Sequence, residues 1–257
     1  MRPCRDSAAM NQALQILHRD PWLVAISKPS GLMVHRSRIA DDRRFALQML
    51  RDQIGRRVYP VHRLDRGTSG VLLFALDGAM AGQVNQALRS QGADKRYLAV
   101  VRGFVECAGV IDYPLRERRD KERRPAVSHY RRIATVELPV AVGPYPCARY
   151  SLVEVRPETG RMHQIRKHFA HISHPLVGDT THGEGRHNRL FRVHFGIHRL
   201  LLHAASLRIR HPATRLDLTV HAPLPEELRR LFRMLGCTDQ VDDIEPRRPA
   251  SGGLRPQ

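Results

Sequence analysis

With 257 residues, 42% of them hydrophobic, the chain is near the upper size of a single core, so one domain is expected rather than two. No window reaches the roughly 18–20 unbroken apolar residues that span a bilayer, and no apolar stretch follows the N-terminal basic residues as a secretion signal would need, so a cytoplasmic protein is expected. Lysine and arginine number 43 against 25 acids, a net charge of +18; because the basic residues are not gathered on one amphipathic helix, the polyanion they call for is nucleic acid rather than a membrane.

Residues 1–13 are polar and aperiodic, a disordered extension in which Met10 would serve as an alternative start. Strand-like runs follow at 22–27 (WLVAIS), 71–76 (VLLFAL), 97–105 (YLAVVRGFV), 129–138 (HYRRIATVEL), 148–156 (ARYSLVEVR) and 201–209 (LLHAASLRI). Several alternate apolar and polar residues, as strands with one covered face do. Helices are predicted over 45–54, 80–90, 163–172 and 225–235. The last is the clearest, with Leu228, Leu231, Phe232 and Leu235 at helical spacing, Pro225, Glu226 and Glu227 in the first turn and Gly236 past the end. Strands outnumber helices and do not alternate with them, which predicts an α+β fold with a largely antiparallel sheet. The segment RERRDKERR (116–124) holds six basic and three acidic residues; it reads as a solvated loop with internal ion pairs, and its charge also permits RNA contact. From residue 239 the chain is rich in proline, glycine and charge. It is expected to be disordered, leaving 14–238 as one folded domain.

Within HRLDRGTSG (62–70), Asp65 stands between Arg63 and Arg66. An arginine within reach favours the ionised carboxylate, which makes Asp65 a poor general acid and a candidate nucleophile or base. A structural ion pair is the plainer reading of R-x-D-R. The glycines and hydroxyls that follow suit a tight turn into VLLFAL, which would hold the carboxylate at the end of a strand. In ETGRMHQIRKHFAHISHP (158–175), a turn at Gly160 leads into a helix with Ile165, Phe169 and Ile172 toward the core, Arg161 ahead of it and Arg166 within it. Its histidines, His163, His168, His171 and His174, follow no zincin spacing and have no cysteine nearby, so no metal is expected. KRYLAVVRG (95–103) opens a strand at Tyr97; alone this is a core tyrosine, but beside RNA its ring could stack on a displaced base and its hydroxyl move a proton. Cys4, Cys107, Cys147 and Cys237 lie far apart and read as reduced thiols.

Together these stretches resemble the RluA-type pseudouridine synthases. HRLDRGTSG is similar to that family's signature, and KPSGLMVH (28–35), KRYLAVVRG and TGRMHQIRKH with HPLVGD (159–179) resemble its other motifs in the same order. The resemblance runs from about residue 16 to 235. It implies the pseudouridine synthase fold, a mixed, largely antiparallel sheet with a central RNA-binding cleft. HRDPWLVAISKPSGLMVHRS (18–37) begins so near the N-terminus that no S4-type RNA-binding domain is expected. By the same resemblance Asp65 is the catalytic aspartate, Tyr97 the tyrosine that stacks on the target base, and Arg166 the arginine that pairs with the aspartate. Arg63 matches a residue able to replace the extruded base, Ile165 an apolar pocket wall, and Lys28, His35, Arg66, Arg161 and His163 further substrate-binding positions.

GDTTHGEGRHNR (178–189) and HFGIHRLLLHA (194–204) are similar to a subgroup that acts on tRNA, implying a uridine in the T-stem, at position 65, as substrate. The alternatives are the same isomerisation on ribosomal RNA, or an RNA-binding protein without catalysis. A glycoside hydrolase would need paired carboxylates, and no second acid stands in HRLDRGTSG beside Asp65. The implied enzyme needs no redox cofactor or metal and no protein partner, and a monomer is expected.

Overall fold

The computed structural model describes residues 13–35, 44–89, 92–116, 122–238 and 240. The two expected disordered ends therefore lie outside the described residues, apart from Ala13 and Gln240. The elements run β1 (Gln15–Arg19), β2 (Leu23–Lys28), α1 (Ala46–Ile54), β3 (Tyr59–Pro60), β4 (Ser69–Ala75) and α2 (Gly78–Arg89). They continue with β5 (Asp94–Arg102), β6 (Ala108–Asp112), β7 (Leu115–Arg116), β8 (Arg123–Arg124), β9 (Val127–Leu138) and β10 (Ala148–Pro157). Last come α3 (Gln164–His171), α4 (Gly185–Phe195), β11 (Leu202–Arg210), β12 (Asp217–His221) and α5 (Glu226–Met234). Every predicted strand and helix is present; α4 and the short strands β1, β3, β6, β7, β8 and β12 are additions.

The chain divides into two compact units: residues up to Asp94 with Ser206–Ala222, and Lys95–Ala205 with the residues from Pro223 on. In the first, β1 and β2 form a hairpin closed by Asp20, whose Oδ1 accepts the N–H groups of Trp22 and Leu23, both at 2.7 Å. β2 then pairs antiparallel with β4, Leu23 opposite Ala75 and Lys28 opposite Gly70. Every residue of β4 is buried, as an unbroken apolar run requires when both faces of a strand are covered. Its Val71, Leu73 and Ala75 pack with Met80, Val84 and Leu88 of α2. That helix starts at Asp77, whose carboxylate accepts the Met80 N–H at 2.7 Å. β12 pairs with the Ser206–Arg210 end of β11.

In the second unit β10 lies between β5 and β9, and β9 also pairs with β6, all antiparallel. Successive strand residues point to opposite faces. Leu98, Val100, Tyr150 and Leu152 therefore meet Leu190 and Phe191 of α4 and Leu228, Leu231 and Phe232 of α5. Ala99, Val101, Val153 and Val155 meet Ile165 and Phe169 of α3 on the other side. Of the basic segment 116–124, the flanks pair as β7 and β8 and 117–121 lie outside the described residues. The thiols of Cys107, Cys147 and Cys237 are free, and burial pushes Cys237 up to about 11.

Candidate active site

Asp65 is carried by the loop between β3 and β4, in the first unit. Val61 and Leu64 are buried and anchor the loop from below, and His62 Nε2 accepts the Leu73 N–H at 3.0 Å. The Thr68 N–H donates to the Asp65 carbonyl at 3.1 Å, which closes the expected tight turn into β4. A second loop, KPSG, is fastened to this one. The Gly31 N–H donates to the Arg66 carbonyl at 2.8 Å, Arg66 Nε to the Gly31 carbonyl at 3.0 Å, and Ser30 Oγ to the Gly67 carbonyl at 2.7 Å. Beneath them lies Lys28, fully buried, donating to the carbonyls of Pro29 at 2.9 Å, Leu32 at 2.7 Å and Arg66 at 3.2 Å. Three carbonyls match the three donors of an ammonium. Lys28 thus ties together the backbone of both motif loops. Above this frame Asp65 is half-buried, and Arg63, Arg66 and His35 are exposed.

In the second unit, Tyr97 sits on β5 opposite Val155, half-buried against the Ala99 and Val101 cluster. Ile165 lies within that cluster, 6% exposed. Ahead of α3, His163 adopts a left-handed conformation, φ 56°, a cost of about 1 kcal/mol or more for a non-glycine residue. Gln164 holds the chain there. Its Oε1 accepts from Thr159 Oγ1 at 2.7 Å and from the Arg161 N–H at 3.0 Å, while its Nε2 donates to the Val127 carbonyl and to Ser128 Oγ. Arg161 also donates through Nε to the Pro125 carbonyl at 3.1 Å.

One turn on, the buried guanidinium of Arg166 makes a bidentate pair with Asp179, Nε to Oδ2 at 2.6 Å and Nη2 to Oδ1 at 2.8 Å. Sequence reasoning picks out the motif HPLVGD but not its Asp179. Burial pushes the Asp179 carboxyl up, but the Arg166 hydrogen bonds and the backbone N–H groups of His182 and Thr181 outweigh that and hold it below the usual carboxylate range. Asn188 of α4 completes the clamp, its Oδ1 accepting the Gly178 N–H at 2.7 Å and its Nδ2 donating to the Asp179 carbonyl at 2.8 Å.

The four histidines around α3 are each engaged by a protein group, and Tyr113 serves two of them. His163 Nδ1 lies 3.0 Å from His182 Nε2, and His171 stacks on Tyr113 with ring centroids 3.6 Å apart. His174 Nδ1 donates to the Arg102 carbonyl at 2.7 Å. His168 is buried between Ser128 Oγ at 3.0 Å and the Tyr113 carbonyl at 3.1 Å, and burial holds its pKa below the ordinary value.

Residues 22–171 match the model of a family described as RNA pseudouridylate synthase. The chain belongs to this family. The synthase is an isomerase that converts uridine to pseudouridine in RNA. It is 49% identical over 239 residues to tRNA pseudouridine synthase C of Vibrio cholerae serotype O1, a match covering 89% of this chain and 98% of the relative. With tRNA pseudouridine synthase C of Yersinia pestis the identity is 46% over 243 residues, covering 90% and 95%. Among solved structures, Human RNA Pseudouridylate Synthase Domain Containing 4 has a TM-score of 0.65 at 26% identity, covering 86% of the synthase and 93% of that chain. Human RNA Pseudouridylate Synthase Domain Containing 1 has a TM-score of 0.68 at 24% identity, covering 90% and 94%, a likeness of fold.

Proposed function

We propose that the synthase modifies tRNA, at the T-stem uridine of position 65, with Asp65 as the carboxylate that acts on the nucleotide. The observation that carries the role of Asp65 is its loop: a half-buried acid on a turn locked by Lys28, Ser30 and Gly31. A tethered loop can hold a reacting group in a fixed attitude without reorganisation at the moment of reaction. The tRNA reading is supported by identity to synthases of that name over nearly their whole length. Tyr97 would stack on the target base, Arg166 would supply positive charge to the same chemistry, and residues 14–238 would serve as one catalytic domain, acting as a monomer in the cytoplasm. Arg63, exposed on the Asp65 loop, would enter the RNA stack as the base leaves it.

The reaction breaks the C1′–N1 bond, turns the base and forms a C1′–C5 bond; the proton leaves C5 and N1 gains one. No electrons are exchanged and no group is added, so atoms balance without a co-reactant. A uridine inside a stem must first be flipped out, at a cost of a few kcal/mol. The test is tritium release from tRNA labelled at uridine C5, with wild type and Asp65→Asn in parallel. Release by wild type alone, mapped to position 65, is expected. Release from ribosomal RNA fragments but not from tRNA would overturn the substrate, and full activity in Asp65→Asn would remove Asp65 from the mechanism.

A further inference from the structure

On α4, the helix whose inner face carries Asn188, the outer face has an unusual makeup. The sequence GRHNRLFRVHF contains no acid. At ~100° per residue, Arg186, Arg189, Arg192 and Val193 fall on one arc of about 120°, centred opposite the buried Phe191. All four are exposed, Val193 at 69%. Arg230 of α5 extends the patch at the far end, where a side chain at Gly196 would meet its guanidinium at 3.7 Å. Arg102, Arg149, Arg156 and Arg166 each have a carboxylate partner. Arg186, Arg189 and Arg192 have none among the described residues.

Helix electrostatics do not account for this. A helix favours cations at its C-terminus, which suits Arg192. Arg186 stands in the first turn, where the dipole opposes a cation, and Arg189 is mid-helix. Three like charges at a spacing of three are also mutually destabilising. Such an arrangement is kept at a cost in stability, and a polyanion laid along the helix would reverse that cost.

We propose that this face of α4 docks the phosphate backbone of the RNA substrate. The proposal rests on the reading of the chain as an enzyme of folded RNA, and it specifies which surface grips the RNA outside the reacting nucleotide. The helix is a firm support for that grip. Tyr150 Oη, buried, hydrogen-bonds with His187 Nδ1 at 2.7 Å, Arg102 pairs with Glu184 at the helix start, and Asn188 clamps Gly178 and Asp179. RNA on the outer face would lie about one helix diameter, ~10 Å, from the turn that holds Arg166.

The experiment compares filter binding of tRNA over a salt series, and single-turnover rates at saturating tRNA, for wild type and three variants. R186Q/R189Q/R192Q is expected to weaken binding about tenfold at moderate salt and to flatten the log–log salt slope by about two units, at roughly 0.7–0.9 for each phosphate no longer engaged. Its saturated rate should equal that of wild type. R186K/R189K/R192K should bind as wild type does. R208Q/R210Q/R215N, which removes the same charge from the first unit, should leave affinity and slope within about twofold. Unchanged binding in the glutamine variant would overturn the proposal, and so would an equal loss in the first-unit control, which would make net charge the cause. If wild type modified no RNA at all, the functional reading would fail, while the binding comparison would still decide the role of α4.

Discussion

Four donors converge on the two carboxylate oxygens of Asp179: Nε and Nη2 of Arg166 and the N–H groups of Thr181 and His182. Asp179→Asn keeps the shape but replaces one oxygen with an amide that cannot accept, and it leaves Arg166 buried beside a neutral group. Removing one partner of a buried pair costs about 3–5 kcal/mol, so we expect that loss in urea unfolding at neutral pH. The acid limb should change as well. The Asp179 pKa is lower in the folded state than in the unfolded chain, where it lies near 3.9, so in that window the unfolded state binds more protons. The stability it contributes is fully present above the unfolded value and is lost as pH falls through it toward the folded pKa. Unfolding free energies between pH 7 and pH 3 should therefore fall less steeply in Asp179→Asn than in wild type. Parallel limbs in the two proteins would mean that the pair does not hold the charge.

At the scale of elements, the turn between α3 and α4 depends on a glycine that no side chain can replace. Gly178 has φ +79°, and a Cβ there would stand 1.9 Å from the carbonyl oxygen of Arg199. The obstacle is backbone, so rotamer changes cannot relieve it. Gly178→Ala should cost about 2–4 kcal/mol, read as a fall in Tm, whereas Gly160→Ala, with nothing within 4 Å, should be close to neutral. An unchanged Tm in Gly178→Ala would show that this turn gives way freely. The same turn marks a limit of what sequence discloses. Continuous apolar runs such as VLLFAL and the striped α5 are legible because their partners are implied by their own periodicity. α4 is not, because its apolar residues are split between the buried Leu190 and Phe191 and the exposed Val193, which blurs the stripe. In the candidate site, the turn at Asp65 and the helix bearing Arg166 could be read from their motifs. That Lys28 would be buried under two loops could not, since the reach of an ammonium depends on which backbone the fold brings to it. Nor could Asp179 be matched to Arg166, since the pairing depends on a turn that Asn188 holds from another helix.

For the molecule as a whole, charge decides how it meets RNA. A net +18 is far beyond what solubility needs in a protein of this size, and the arginines of the second unit meet it in two ways. The second unit neutralises several of its arginines within the protein, as in Arg166 with Asp179 and Arg149 with Glu137. The α4 arginines are left for solvent or a ligand. Each phosphate contact releases condensed counterions, so affinity should fall with salt along a straight log–log line whose slope counts those contacts. With about five phosphates engaged, at roughly 0.7–0.9 each, we expect a slope near −4 for tRNA. Because that count covers the whole contact surface, the α4 glutamine variant should remove about half of it, and Asp65→Asn none, since a carboxylate binds no phosphate. A wild-type slope near zero between low and moderate salt would mean that shape and base contacts hold the RNA, and the excess charge would then need a different partner.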